Sequence, residues 1–210
     1  MLTVKDLHDA FTELGALARG EGKVIDLAVY GGSALMLASN FRVATQDVDA
    51  VVEGDQSTVN RLAEEVARRR GWATTWLNDG VRTYLSPNVE GLAEHHELLR
   101  AYPSEQDVGL RVFVPSPEYI LAMKLMAMRL DPAGGKSDLA DIVNLMEVVG
   151  LKTQEETIDF AASFYPEAKI SARLHLGIRE LWRMRENLGQ EGQEGQHDTP
   201  RYLGRGRTAS

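Results

Sequence analysis

A short apolar run that ends at two glycines and resumes as a helix constrains the fold of this chain more than any other stretch. Val24–Tyr30 is apolar, β-rich and of strand length; Gly31-Gly32-Ser33 interrupts it, and Ala34-Leu35-Met36-Leu37-Ala38 then has helical composition. Strand, glycine turn and helix in that order bring backbone N–H groups close together, and the helix adds the positive end of its dipole. An anion is the natural guest of such a turn. After the polar interval Ser39–Gln46 comes Asp47-Val48-Asp49-Ala50-Val51-Val52, a second strand candidate that starts 14 residues beyond Ser33. Alternation along a strand places Asp47 and Asp49 on one face.

The surrounding segments build a layer on each side of that motif. Val4–Arg19 spaces Leu7, Phe11, Leu14 and Leu17 for an amphipathic helix, and Gly20 and Gly22 stop it. Ser57–Arg70 reads as a helix with Val59, Leu62, Val66 and Ala67 inward and Arg61, Arg68, Arg69 and Arg70 outward, closed by Gly71. Between Trp72 and Val114 the strand candidates are Ala73–Leu77, Val81–Leu85, Glu97–Tyr102 and Leu110–Val114. Past Pro115 the pattern turns helical over Pro117–Leu130, Ser137–Val149, Glu155–Phe164 and Ser171–Leu188. Gly189–Ser210 repeats Gln-Glu-Gly and has almost nothing to bury, the composition of a disordered tail. The expected fold is therefore α+β: a mixed sheet with packed helices over 1–115, a C-terminal helical subdomain over 116–188, and a tail over 189–210.

Composition narrows the chemistry. Among 210 residues there is no cysteine, so disulfides, thiolate zinc clusters and thiol nucleophiles are out. A net charge of -8, from 31 acids against 23 bases, argues against a surface built throughout to hold nucleic acid, though a local basic patch stays open. No apolar run approaches the roughly 20 residues that span a bilayer, and a cytoplasmic protein is expected.

Two carboxylates on one strand face beside a phosphate-holding turn suit a Mg2+ ion and a nucleoside triphosphate. Taken alone, Gly31-Gly32 is also an ordinary turn, and Asp47 and Asp49 are also surface acids at a strand end. Together, Gly31-Gly32-Ser33 and Asp47-Val48-Asp49 resemble the signature of the nucleotidyltransferase superfamily related to DNA polymerase β. Lys124-Leu125-Met126-Ala127-Met128-Arg129 and Lys136-Ser137-Asp138-Leu139-Ala140-Asp141-Ile142 resemble the helical motifs of its AbiEii-type abortive-infection toxin relatives. Trp76-Leu77-Asn78-Asp79 is similar to a tryptophan-leucine-asparagine motif of small bacterial members. The resemblance spans residues 25–150 and rests on the combination.

The resemblance implies a nucleotidyltransferase core whose active site is completed by the helical part. It also implies Mg2+-dependent transfer of a nucleoside monophosphate from an NTP, with the tRNA 3′ end as acceptor. The protein would be the toxin of a toxin-antitoxin system, with a cognate antitoxin as partner. In that reading Gly31, Gly32 and Ser33 hold phosphate, Asp47 and Asp49 hold the metal, Lys124 contacts the triphosphate, and Asp138 is the acid of the later lysine-aspartate motif. Ser137 departs from the pattern by separating Lys136 from Asp138. Many superfamily members carry a third carboxylate on a later strand, whereas Leu110–Val114 has none. Asp138 is the replacement candidate, followed by Asp141 and Asp79; Arg129 and Lys136 are further secondary candidates, and Arg42 could contact the nucleotide.

Structural alternatives accompany several of these residues. Lys124 lies in an apolar helix, where it could meet a phosphate or tie two helices together through Asp138. Asp138 at a helix start could be a cap. Arg61, Arg68, Arg69, Arg70, Arg82 and Arg111 could form a cationic surface for RNA or decorate exposed faces. Trp76 and Tyr84 could stack on a base or belong to the core, and His95-His96 with Glu94 and Glu97 point to opposite sides of one short stretch, which speaks against a metal. The competing functions are transfer to a protein or small molecule, and a catalytically inactive domain that binds nucleotide or partner.

Overall fold

A computed structural model describes residues 1–128, 138–191 and 201–202. Two compact units divide the chain: Met1–Thr83 with Glu90–Ser116, and Tyr84–Val89 with the chain from Pro117 to Tyr202. The fold is α+β with a mixed five-stranded sheet. Among the described residues, no helix is long and apolar enough to cross a membrane.

In the first unit the strands are β1 (Leu2–Thr3), β2 (Ile25–Tyr30), β3 (Ala44–Thr45), β4 (Val48–Glu53), β5 (Leu77–Asn78), β6 (His96–Pro103) and β7 (Val108–Pro115). The helices are α1 (Val4–Gly20), α2 (Gly31–Ala38) and α3 (Gln56–Arg70). The main sheet runs β5-β4-β2-β7-β6, with β4 antiparallel and β7 parallel to β2, β5 parallel to β4, and β6 antiparallel to β7. Strands β1 and β3 form a separate antiparallel pair.

Local chemistry explains the boundaries. Thr3 and Asp6 form a reciprocal capping box at the start of α1, the Asp6 carboxylate accepting the Thr3 N–H at 2.8 Å. Asp55 accepts the Thr58 N–H at 3.1 Å to open α3, and Gly71, in the left-handed region, closes it. Helix α1 packs on β6 and β7 and fully buries Leu7, Phe11 and Leu14, each contributing about 1.5–3 kcal/mol on leaving water. Two expected strands differ. Val81–Leu85 lies largely in a 3-10 helix, Gly80–Tyr84, and Ala73–Leu77 is mostly a 3-10 turn, Thr74–Trp76, that only then enters β5. Their apolar residues fill the core without a ladder: Trp76 is buried and donates its Nε1–H to the Ala63 carbonyl at 2.9 Å.

The second unit contains α4 (Pro117–Ala127), α5 (Leu139–Val149), α6 (Gln154–Phe164) and α7 (Ala172–Glu191). Helix α4 is its centre, burying Tyr119, Ile120, Leu121, Met123 and Leu125 against α5, α6 and α7. The segment Tyr84–Val89 is held there by hydrogen bonds: the Ser86 N–H donates to the Tyr119 hydroxyl at 3.1 Å, and the Tyr165 hydroxyl to the Tyr84 carbonyl at 2.5 Å. Of the stretch read as a tail, α7 reaches Glu191 and Tyr202 is buried; residues 192–200 and 203–210 lie outside the described residues.

Candidate functional site

The turn between β2 and α2 is where the first unit concentrates polar chemistry. Gly31 has φ +62°, and a Cβ placed on it would stand 2.7 Å from Asp49 Oδ2. Both facts require glycine: the left-handed region costs other residues about 1–2 kcal/mol, and a methyl group would displace the carboxylate. A Cβ on Gly32 would sit 3.4 Å from both Arg42 Nη1 and Thr45 Oγ1. The carboxylate of Asp49 and the guanidinium of Arg42 thus approach the opening of α2 through consecutive glycines. Ser33 is buried and donates its hydroxyl to the Tyr30 carbonyl at 2.8 Å, fixing the first turn of the helix.

Strand register explains how Asp49 arrives there. Asp49 lies opposite Tyr30 at the end of β2, and on its other side opposite Asn78 of β5. Along β4, Val48, Ala50 and Val52 are buried, while Asp49 and Val51 are half-buried on the other face. Asp47 stands one residue before β4 and is half-buried as well. Its backbone carbonyl accepts the Thr45 hydroxyl at 3.0 Å. Thr45 was not singled out by the sequence; its part follows from the two-residue pairing of β3 with β1, which carries no sequence signal at that length.

This set offers hard oxygen donors, backbone N–H groups at a helix start and one nearby cation. Among the described residues no group of three or more His, Asp or Glu side chains could hold a metal. Mg2+ usually takes one or two protein carboxylates and completes its shell with water and phosphate oxygens, and aspartates such as Asp47 and Asp49 are the donor type it requires.

The other sequence candidates belong to other elements of the chain. In the second unit Lys124, 8% exposed, places its Nζ 2.9 Å from Asp138 Oδ1 and 2.8 Å from Asp141 Oδ2. Asp138 precedes α5 but makes no side-chain cap bond there. Asp79 pairs with Arg82 at 3.0 Å. Arg129 and Lys136 lie outside the described residues. The arginines considered for an RNA surface are paired with acids: Arg61 with Glu21, Arg68 and Arg69 with Glu65, Arg70 with Glu13, and Arg111 with Asp26. His96 uses both ring nitrogens, Nε2 with the Tyr30 hydroxyl and Nδ1 with the Glu94 carbonyl, each at 2.8 Å, and burial chiefly lowers its pKa.

A family model described as "Nucleotidyltransferase of unknown function (DUF6036)" matches residues 5–169. The chain belongs to this nucleotidyltransferase family. The matched span takes in the glycine turn, Asp47 and Asp49, and also Lys124 with its two aspartates. Comparison with curated proteins and with solved structures gives no match.

Proposed function

We propose that this chain transfers a nucleoside monophosphate from an NTP to an acceptor hydroxyl, at the site formed by Gly31, Gly32, Ser33, Arg42, Asp47 and Asp49. The observation that carries the proposal is the Asp49 carboxylate against the left-handed Gly31 turn that opens α2. In this reading the N–H groups at the start of α2 hold the departing phosphates, and Arg42 offsets their charge. Asp47 and Asp49 would hold Mg2+, which neutralises charge on phosphate oxygens during such a transfer. The acceptor oxygen forms a bond to the α-phosphorus, the bond to pyrophosphate breaks, and the hydroxyl proton passes to solvent. Strand β7 contributes no carboxylate to this step.

The finer reading is an AbiEii-type toxin acting in the cytoplasm on the tRNA 3′ end and opposed by an antitoxin. It rests on the likeness of the Lys124 and Asp138 motifs to those toxins. For Lys124 the two buried ion pairs support a role in joining α4 to α5.

The test is an α-labelled nucleotide screen with Mg2+ against total RNA, purified proteins and small-molecule acceptors, with Asp49→Ala as control. Label transfer to RNA by the wild type, lost in a folded D49A protein together with any growth inhibition, is the expected result. Transfer that survives D49A overturns the assignment of the site. Nucleotide binding without transfer to any acceptor would favour an inactive binding domain.

A further inference from the structure

We propose that Asn78 positions substrate, its side-chain amide donating a hydrogen bond to a substrate hydroxyl beside Asp49; this rests on reading the Gly31–Asp49 site as one of nucleotidyl transfer. The tryptophan-leucine-asparagine run has an evident physical logic. Trp76 anchors it, buried with its Nε1–H on the Ala63 carbonyl at 2.9 Å and its ring edge-on to Trp72, 5.4 Å between centroids. Leu77 and Asn78 then form β5, whose register sets Asn78 directly beside Asp49. Residues in register on neighbouring strands point to the same side of the sheet, and the strands lie about 4.8 Å apart.

The amide is oriented. Asn78 Oδ1 accepts the Gly80 N–H at 3.0 Å, which commits the acceptor end to the chain's own turn. The Nδ2 end has no protein acceptor among the described residues. The neighbouring Asp79 does not compete for it, being paired with Arg82, which Gln56 also holds at 2.9 Å. A half-buried donor therefore stands next to a carboxylate of the metal-binding type.

Sheet order says which part of the substrate meets that donor. In the order β5-β4-β2, Asp49 leans towards Gly31 on the β2 side, where the turn takes the departing phosphates, and Asn78 lies on the opposite side. With the phosphates on the Gly31 side, the part of the substrate that would extend past the reacting phosphorus towards Asn78 is a sugar, whose hydroxyls belong either to the nucleotide or to the acceptor's end. Both accept an N–H bond, so the shared chemistry is a hydroxyl oxygen.

Two variants isolate the donor. Asn78→Asp keeps an oxygen for the Gly80 N–H and removes the amide hydrogens; Asn78→Ala removes both. Binding of ATP, CTP, GTP and UTP to the full chain with Mg2+ is measured by calorimetry, and the tightest is compared with its 2′-deoxy and 3′-deoxy forms. If the hydroxyl is the nucleotide's, the wild type prefers the ribose form by roughly 3- to 10-fold, and both variants reduce that ratio to near one. Charge repulsion introduced by aspartate weakens both forms alike and cancels in the ratio. If the hydroxyl is the acceptor's, the nucleotide ratio is unchanged and KM for total RNA rises by a similar factor. Variants that alter neither the ratio nor that KM, in a wild type that binds and transfers, overturn the role of Asn78. A wild type that neither binds nor transfers nucleotide overturns the transfer site itself, and Asn78 with it.

Discussion

Replacing Lys124 with methionine measures what the buried triad contributes. Lys124, Asp138 and Asp141 are 8, 5 and 4% exposed, and the two Nζ–Oδ distances are 2.9 and 2.8 Å. Methionine keeps most of the apolar stem but takes the ammonium away from two buried carboxylates. Removing one partner of a buried pair costs about 3–5 kcal/mol, far more than an exposed pair is worth. At about 2–4 °C per kcal/mol for a chain of this size, Tm should fall by about 6–20 °C. Circular dichroism during thermal and urea unfolding reads the loss. The triple variant K124M/D138N/D141N should recover a large part of it, since neutral groups replace the charges that lost the ammonium. A K124M protein within about 1 kcal/mol of the wild type, or a triple variant no more stable than K124M, would refute the argument. Loss of transfer by K124M at a temperature where it is fully folded would show that the lysine also contacts substrate.

Gly31→Ala should lower stability by about 1–2 kcal/mol through its positive φ and reduce transfer by tenfold or more by displacing Asp49. Gly20→Ala is the control, because a Cβ there meets nothing within 4 Å; equal transfer defects in the two would sink the geometric reason. Stability should also fall in mild acid. Desolvation chiefly lowers the pKa of both His8 and His96 from 6.5, so below that pH the unfolded chain takes up protons that the fold resists. Stability is fully present above about pH 6.5 and declines as pH falls towards the folded values, by at most about 1.4 kcal/mol per pH unit for each histidine. His96→Gln should flatten the decline between pH 7.5 and 5.5 in urea titrations; an unchanged slope would rule His96 out as a contributor.

The parts of this fold legible in the sequence are those written in neighbouring residues. The strand-turn-helix at Gly31 and the helix closed by Gly71 are local patterns, and the structure contains both. Val81–Leu85 shows the limit: its apolar and β-branched residues suit a strand, yet Gly80–Tyr84 finds no partner strand among the described residues and coils into a 3-10 helix. The pairing of arginines was equally hidden. Arg61 finds Glu21, Arg70 finds Glu13 and Arg111 finds Asp26 only after distant elements meet, so a row of cations on a helix says little about net surface charge. Asn78 beside Asp49 is a fact of parallel register between segments far apart in sequence, and composition cannot express it.

An aspartate that only ties the fold together and one that serves a reaction respond differently to loss of charge, and that difference can be tested across this chain. Asp26 takes both Arg111 Nε and Nη2, at 2.5 and 2.6 Å; Asp107 takes Arg19 at 2.5 Å; Asp55 is held well below the usual carboxylate range by bonds from Ser57 and Thr58. Asp47 and Asp49 belong instead to the glycine turn, the Asp49 carboxylate standing against the place a Cβ on Gly31 would take and the Asp47 carbonyl accepting the Thr45 hydroxyl. Aspartate-to-asparagine changes should therefore separate two groups. D26N and D107N break exposed pairs, cost no more than about 1 kcal/mol and leave transfer intact. D47N and D49N should leave the chain folded, while transfer falls at least about 100-fold. A D107N protein as deficient in transfer as D49N, at equal stability, would mean that the acids act through the general field of the molecule and not through the turn.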